Sequence, residues 1–196
     1  MHVLSSVGWM SMALVLFVLL GNGALGAAHV VDGSLLAPLA NASAFTGLVL
    51  AYGTAWGLVQ HTWVLAKFAI TFVQLYCGIF LLSGALTEST RTGTAPIALV
   101  VGTALMASAV AVQAWLSIAK PGGRTRWATD RGTGRPIKLP TAPAWVFAAG
   151  VGAPLADIAL GVAFGFPAPV FEVVLLVAVI AARRSALRRR RVAHSG

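Results

Sequence analysis

Few side chains able to do chemistry interrupt the long apolar runs of this sequence, and their types and spacing differ. Lys67, Thr71 and Gln74 lie in the run from His61 to Leu82, and Asp157 is the only acid in the middle of any such run. His2 and His61 stand at the ends of two runs. On a helix, Gln60, Trp63, Lys67, Thr71, Gln74 and Gly78 fall within about 80° of one another. The opposite side carries Val64, Leu65, Phe68, Phe72, Leu75 and Ile79. A polar stripe among apolar neighbours should face other helices or a wet cavity, because an unpaired polar group in hydrocarbon costs several kcal/mol. Lys67, Thr71, Gln74 and Trp63 are therefore the first candidate polar site. Lys67 lies about 9 Å in from His61 at the helical rise. At that depth two readings stay open: a lysine snorkelling to the headgroups, or an inward-facing cation that attracts an acidic group.

Asp157 sits on a second stripe with Gly150, Pro154, Gly161 and Gly165, whose small residues admit a close neighbour. A buried carboxyl without a partner is expected to be neutral and to donate a hydrogen bond. At about 21 Å from the start of its helix, against about 9 Å for Lys67, it is too deep to pair easily with that cation. His2 and His61 fall in the same leaflet on different helices, an arrangement able to ligate a haem, although each also fits as a plain interfacial residue. His29 and Asp32 are too few ligands for a metal, and no metal site is expected. Cys77 is the only cysteine, so no intrachain disulfide or CxxC pair is available, and a small buried thiol is expected.

The elements that must position these groups follow from composition. With 58% hydrophobic and 10% charged residues and a mean hydropathy of +0.86, the chain reads as a membrane protein. Spans of about 20 apolar residues fall at Val3–Ala28, Leu35–Val59, Thr62–Leu86, Thr94–Ala119, Pro143–Phe166 and Val170–Ala186. The expectation is an all-α, polytopic transmembrane bundle of about six spans, the last of which either spans or lies along the interface. Residues 1–119 form a four-helix transmembrane core and 120–142 a basic loop. Residues 143–187 form a transmembrane hairpin turned at Phe166-Pro167-Ala168-Pro169, and 188–196 a basic tail. Leu14–Leu20 and the small residues after it look like a signal peptide, but no Lys or Arg precedes them, so the segment is read as retained.

Of fourteen Lys and Arg, all but Lys67 and Arg91 lie between Lys120 and Lys138 or between Arg183 and Arg191. These clusters directly follow apolar runs, which marks cytoplasmic flanks that meet anionic lipid headgroups and excludes nucleic acid as the expected partner. Both termini are then cytoplasmic, with 29–32 and 88–91 outside. Association with a second copy or a partner subunit stays open. No internal repeat, phosphate-cradling glycine loop, G-x-S-x-G or H-E-x-x-H is present.

Certain residues in sequence carry a resemblance. His2-Val-Leu-Ser-Ser-Val-Gly-Trp9, Thr46-Gly47-Leu48, Gly53-Thr54-Ala55-Trp56-Gly57-Leu58, Trp63-Val64-Leu65-Ala66-Lys67 and Lys120-Pro121-Gly122-Gly123-Arg124-Thr125 look like an uncharacterised bacterial integral membrane family. The likeness covers about residues 1–130 and implies a bacterial cytoplasmic (inner) membrane location, with the last two helices an addition. The chain is also similar, more faintly, to the haem-binding membrane protoporphyrinogen IX oxidases. They share the histidine seven residues before Trp9 and a tryptophan four residues before a lysine, as Trp63 and Lys67 stand. That likeness implies haem b, with His2 and Lys67 functional. The copper-resistance membrane proteins of the D type share the histidine-to-tryptophan spacing and a glycine-then-lysine helix. Leu65 stands where the oxidases carry a second histidine. Three functions follow as expectations: an accessory or small-molecule-binding membrane protein with a polar site around Lys67, a haem-dependent redox enzyme, or a small transporter using Lys67, Gln74 and Asp157.

Overall fold

The computed structural model describes residues 1–54, 56–129, 141–164 and 169–193, with side chains as far as residue 181. It is an all-α bundle. Five helices are long and apolar enough to cross a membrane: α1 His2–Gly21, α2 Leu25–Gly53, α3 Thr62–Thr92, α4 Ile97–Ala119 and α5 Ala144–Phe164. The sixth, α6 Val170–Ala193, has a shorter apolar part, Val170–Ala181. Residues 130–140, the Pro167 turn and His194 lie outside the described residues.

The first turn of the chain corrects the expected boundaries. The α1–α2 link is only residues 22–24, and Gly23 takes the left-handed conformation there. His29 and Asp32, expected in an outside loop, are already helical in α2. The run Gly21-Asn22-Gly23 breaks a helix that hydrophobicity alone carries on to Ala28.

Helix α1 is apolar all round because one stripe packs on other helices and the rest of its surface suits lipid. Its stripe of Ser5, Trp9, Ala13, Leu16 and Leu20, at successive helical turns, is buried. Val3, Leu4, Val7, Leu14 and Val18 are exposed, as residues facing acyl chains are in a bundle without lipid. Helix α1 packs most extensively on α2 and next on α4. Helix α3 lies along α4, and α5 and α6 pack on the far side of α2. Leu16, Leu20, Leu25, Ala28, Leu86 and Leu99 form the core at one end. Lipid is as apolar as leucine, so such contacts hold helices together by close fit and not by escape from water.

Two helices carry a π-helical turn, Asp32–Leu36 in α2 and Cys77–Leu82 in α3. Pro38 accounts for the first, since it lacks the N–H that would bond to Ser34 and its ring crowds that carbonyl. No proline accounts for the second. Cys77, expected as a buried thiol, is half-buried in that turn.

The N-terminus, the segment 54–61 and the basic segment 120–129 share one end of the bundle. Residues 22–24 and 93–96 mark the other. At the basic end the backbones before α3 and after α4 are tied together: Thr62 N–H donates to Gly123 O (3.3 Å) and Thr125 N–H to Gln60 O (2.9 Å). His61 and Arg124 form an isolated antiparallel bridge there. Gly122, at φ +77°, lies so close to Thr62 that a Cβ would strike the hydroxyl.

Candidate functional site

The polar stripe of α3 meets a matching stripe on α4. Lys67 Nζ donates to Ser117 Oγ at 2.6 Å, and Ser117 Oγ donates in turn to Gln113 O at 3.0 Å. Thr71 Oγ1 donates to Gln113 Oε1 at 2.9 Å. Gln113 Nε2 donates to Gln74 Oε1, and Gln74 Nε2 donates to Met106 O at 3.0 Å. The five side chains Lys67, Ser117, Thr71, Gln113 and Gln74 thus form a ladder along the seam. Gln113 is its hub, since its amide bonds to both Thr71 and Gln74. A side-chain amide supplies both donors and acceptors, so it can complete each partner where water is excluded. Lys67 reaches another helix and does not simply extend to the headgroups.

Trp63, on the same stripe, stands apart from the ladder. With Trp56 and His61 it forms an aromatic group at the basic end, the Trp56 and Trp63 rings 5.6 Å apart and edge-on. Lys120 Nζ lies 5.0 Å from the Trp56 ring centre. His61 packs edge-on to Trp56, and its Nδ1 lies 3.0 Å from Trp56 O. His2 sits elsewhere, against α2, with Nδ1 3.1 Å from both Ser43 O and Thr46 Oγ1. Gly47 makes room for that ring, since a Cβ there would lie 3.1 Å from it. Beside it, the Ser6 and Ser43 hydroxyls bond at 2.6 Å. The two histidines therefore have separate settings, and neither borders the cavity described next. Among the described residues, no group of three His, Cys, Asp or Glu could hold a metal ion.

A cavity of about 170 Å³ lies between α1, α2, α3 and α4. Trp9, Asp32, Gln74, Gly78, Ile79 and Met106 are in its wall. Gln74 belongs to both the ladder and the cavity, whereas Lys67 and Thr71 belong only to the ladder. Both π-helical turns contribute to the wall, through Asp32 and Leu36 on one side and Gly78, Ile79 and Leu82 on the other. A π turn widens the helix and swings side chains off the regular register, which is why such turns recur at binding sites. Ile79 is in the wall yet 58% exposed. The wall on α3 therefore reaches the outer surface of the bundle at Ile79.

Asp157 does not join this site. Its Oδ1 accepts the Phe171 N–H at 3.0 Å and its Oδ2 accepts the Glu172 N–H at 2.9 Å. Those are first-turn N–H groups of α6, which lack partners within their own helix. The carboxyl of α5 thus caps α6 across the hairpin. Burial was expected and is found, at 8% exposed. The expected role as a donor is corrected, since both oxygens accept, the bonding of a carboxylate at a positive helix end. Glu172 is also buried beside it. Two turns earlier on the same face of α5, Gly150 meets Val49, and nearby Phe147 meets Gly53.

Sequence reasoning on α3 missed its partners Gln113 and Ser117, which stand four apart on α4 and could have been found by the same periodicity test. Asp32 was noticed only as half of a metal pair. Compared with known protein families, curated proteins and solved structures, the chain has no match.

Proposed function

We propose that this chain is an integral membrane protein that binds a small, largely apolar molecule entering sideways from the bilayer. The cavity between α1 and α4, whose wall reaches the outer surface at Ile79 and includes both π-helical turns, carries this reading. Pockets that hold small ligands are mostly apolar with a few placed polar groups, and this wall has that character. A cavity of about 150 Å³ is enough to bind a benzene-sized group. The Lys67–Thr71–Gln113–Gln74 ladder supports the site by fixing α3 against α4, so its contribution is to hold Gln74 and the wall in place.

The reading includes a bacterial cytoplasmic membrane location with both termini cytoplasmic. It is supported by the shared end of the N-terminus and the segment bearing Lys120, Arg124 and Arg126. Arg126 lies 4.9 Å from the Trp127 ring, and basic and aromatic residues together suit contact with anionic headgroups.

The test is stabilisation by ligand. Short n-alkyl compounds added to the detergent-purified protein should raise its Tm, because binding only the native state stabilises it. Gly78→Leu should abolish that rise. A Cβ at Gly78 meets nothing nearer than Met106 Cε at 4.0 Å, so the new side chain has room to fill the cavity. If no compound raises the Tm of the parent protein, the reading fails.

A further inference from the structure

The wall of the cavity holds one charged residue, Asp32, among otherwise uncharged ones. It is half-buried, on the π-helical turn of α2. Among the described residues nothing forms a hydrogen bond or ion pair with its carboxyl, and His29, one turn earlier, acts on it only through space. Two further polar side chains in the wall, Asn41 and Ser83, likewise make no hydrogen bond among the described residues. Two other polar wall groups are already engaged: the Thr103 hydroxyl donates to Val100 O at 2.8 Å, and Gln74 is held in the ladder. The free set is thus a carboxyl, a carboxamide and a hydroxyl, each able to accept a hydrogen bond.

We infer that the cavity receives the head of a single-chain amphiphile bearing a primary ammonium group, with Asp32 as its counter-charge. The inference rests on the binding function proposed above and names its ligand class. An ammonium has hydrogen-bond donors and a positive charge, which match the one acid of the wall. The wall offers no cation to receive an anionic head. The volume is too small for a whole long-chain molecule, so the chain must leave at Ile79, where the wall reaches the outer surface. Depth agrees with that path. Asp32 lies about 10 Å from the end of α2 at residues 22–24, and Ile79 about 20 Å from the same end of the bundle along α3. The head then sits nearer the interface and the tail runs toward the bilayer centre, as an amphiphile lies in the surrounding leaflet.

The experiment compares dodecylamine, dodecanol and dodecanoate, each brominated near the middle of the chain. The protein has six tryptophans, and Trp9 is in the cavity wall. Replacing Trp56, Trp63, Trp115, Trp127 and Trp145 by phenylalanine leaves Trp9 fluorescence as the reporter, quenched by bound bromine. The amine should bind about tenfold more tightly than the alcohol or the carboxylate. Asp32→Asn should remove that preference while leaving the alcohol unaffected. The Tm of the unaltered protein with the same compounds gives the ranking independently of any substitution. Equal affinity for the three heads, or a preference that survives Asp32→Asn, overturns the inference and leaves the binding function standing. Absence of quenching and of Tm shift with all three overturns both.

Discussion

Between α3 and α4, polar side chains bond to one another, whereas between α5 and α6 the Asp157 carboxylate bonds to peptide N–H groups. Both arrangements bury polar atoms in a bundle that has no water to offer them. The ladder depends on particular partners, Gln113 above all, and loses them one residue at a time. The Asp157 cap depends on backbone donors that every residue but proline carries, so only the acceptor can be lost. A third seam approaches differently again. Helix α5 comes close to α2 at Gly150 and Gly53, while α3 and α4 are joined through long side chains. A seam of long side chains leaves space beside it, and the cavity occupies that space.

Gln113→Leu should have the largest effect, because it strands both Thr71 and Gln74 at once. Leaving buried groups unpaired costs about 1–3 kcal/mol each, reduced in membranes where the unfolded helix finds other partners, so about 2–3 kcal/mol is expected. Reversible unfolding in mixed micelles measures it, and a loss below that of Thr71→Val alone would show that Gln113 is no hub. Gly150→Val should follow at about 1–3 kcal/mol, the range for overpacking, since the added carbons meet Val49. An unchanged Tm would mean that α5 rests loosely on α2. Asp157→Leu should cost about 1–2 kcal/mol by removing the cap from α6. Asp157→Asn should recover only about half of that, because the amide keeps one acceptor oxygen and turns NH2 toward an N–H. If Asn equals Asp in Tm, one of the two bonds contributes nothing. Lys67→Leu should be smallest, within about 0.5 kcal/mol, since leucine inserts more easily and offsets the lost Ser117 bond. A loss as large as that from Gln113→Leu would show that the Lys67–Ser117 bond stabilises the seam as much as the Gln113 hub does.

Much of the bundle was legible because hydrophobicity and charge are written plainly in the chain. The apolar runs and the two basic clusters led to helices close to those found, apart from the α1–α2 corner, where glycine chemistry overrode hydropathy. The face shared by Lys67, Thr71 and Gln74 was legible because a helix has a fixed period. Their partners were not sought, although Gln113 is the only amide of its apolar run. Asp157 was misread for a different reason: its partners are peptide groups, and no residue type announces those. The cavity could not be read at all, because it arises from the spacing of four helices and from a π turn at Cys77–Leu82 that no proline foretells.

The tie between the segments at 59–62 and 121–125 joins two main-chain bonds, in which the Thr62 and Thr125 N–H groups donate, to bonds from the hydroxyls of the same two threonines to the Pro121, Gly123 and Val59 carbonyls. Its specification is therefore concentrated in very few letters. Other side chains along it could be exchanged without breaking a bond of the tie, so a saturation scan would see an almost silent stretch between those letters. Gly122 is the third of them, because its left-handed backbone and its closeness to Thr62 both forbid a larger residue. The intolerance of the whole connection would appear in such a scan as three sharp columns, at positions 62, 122 and 125.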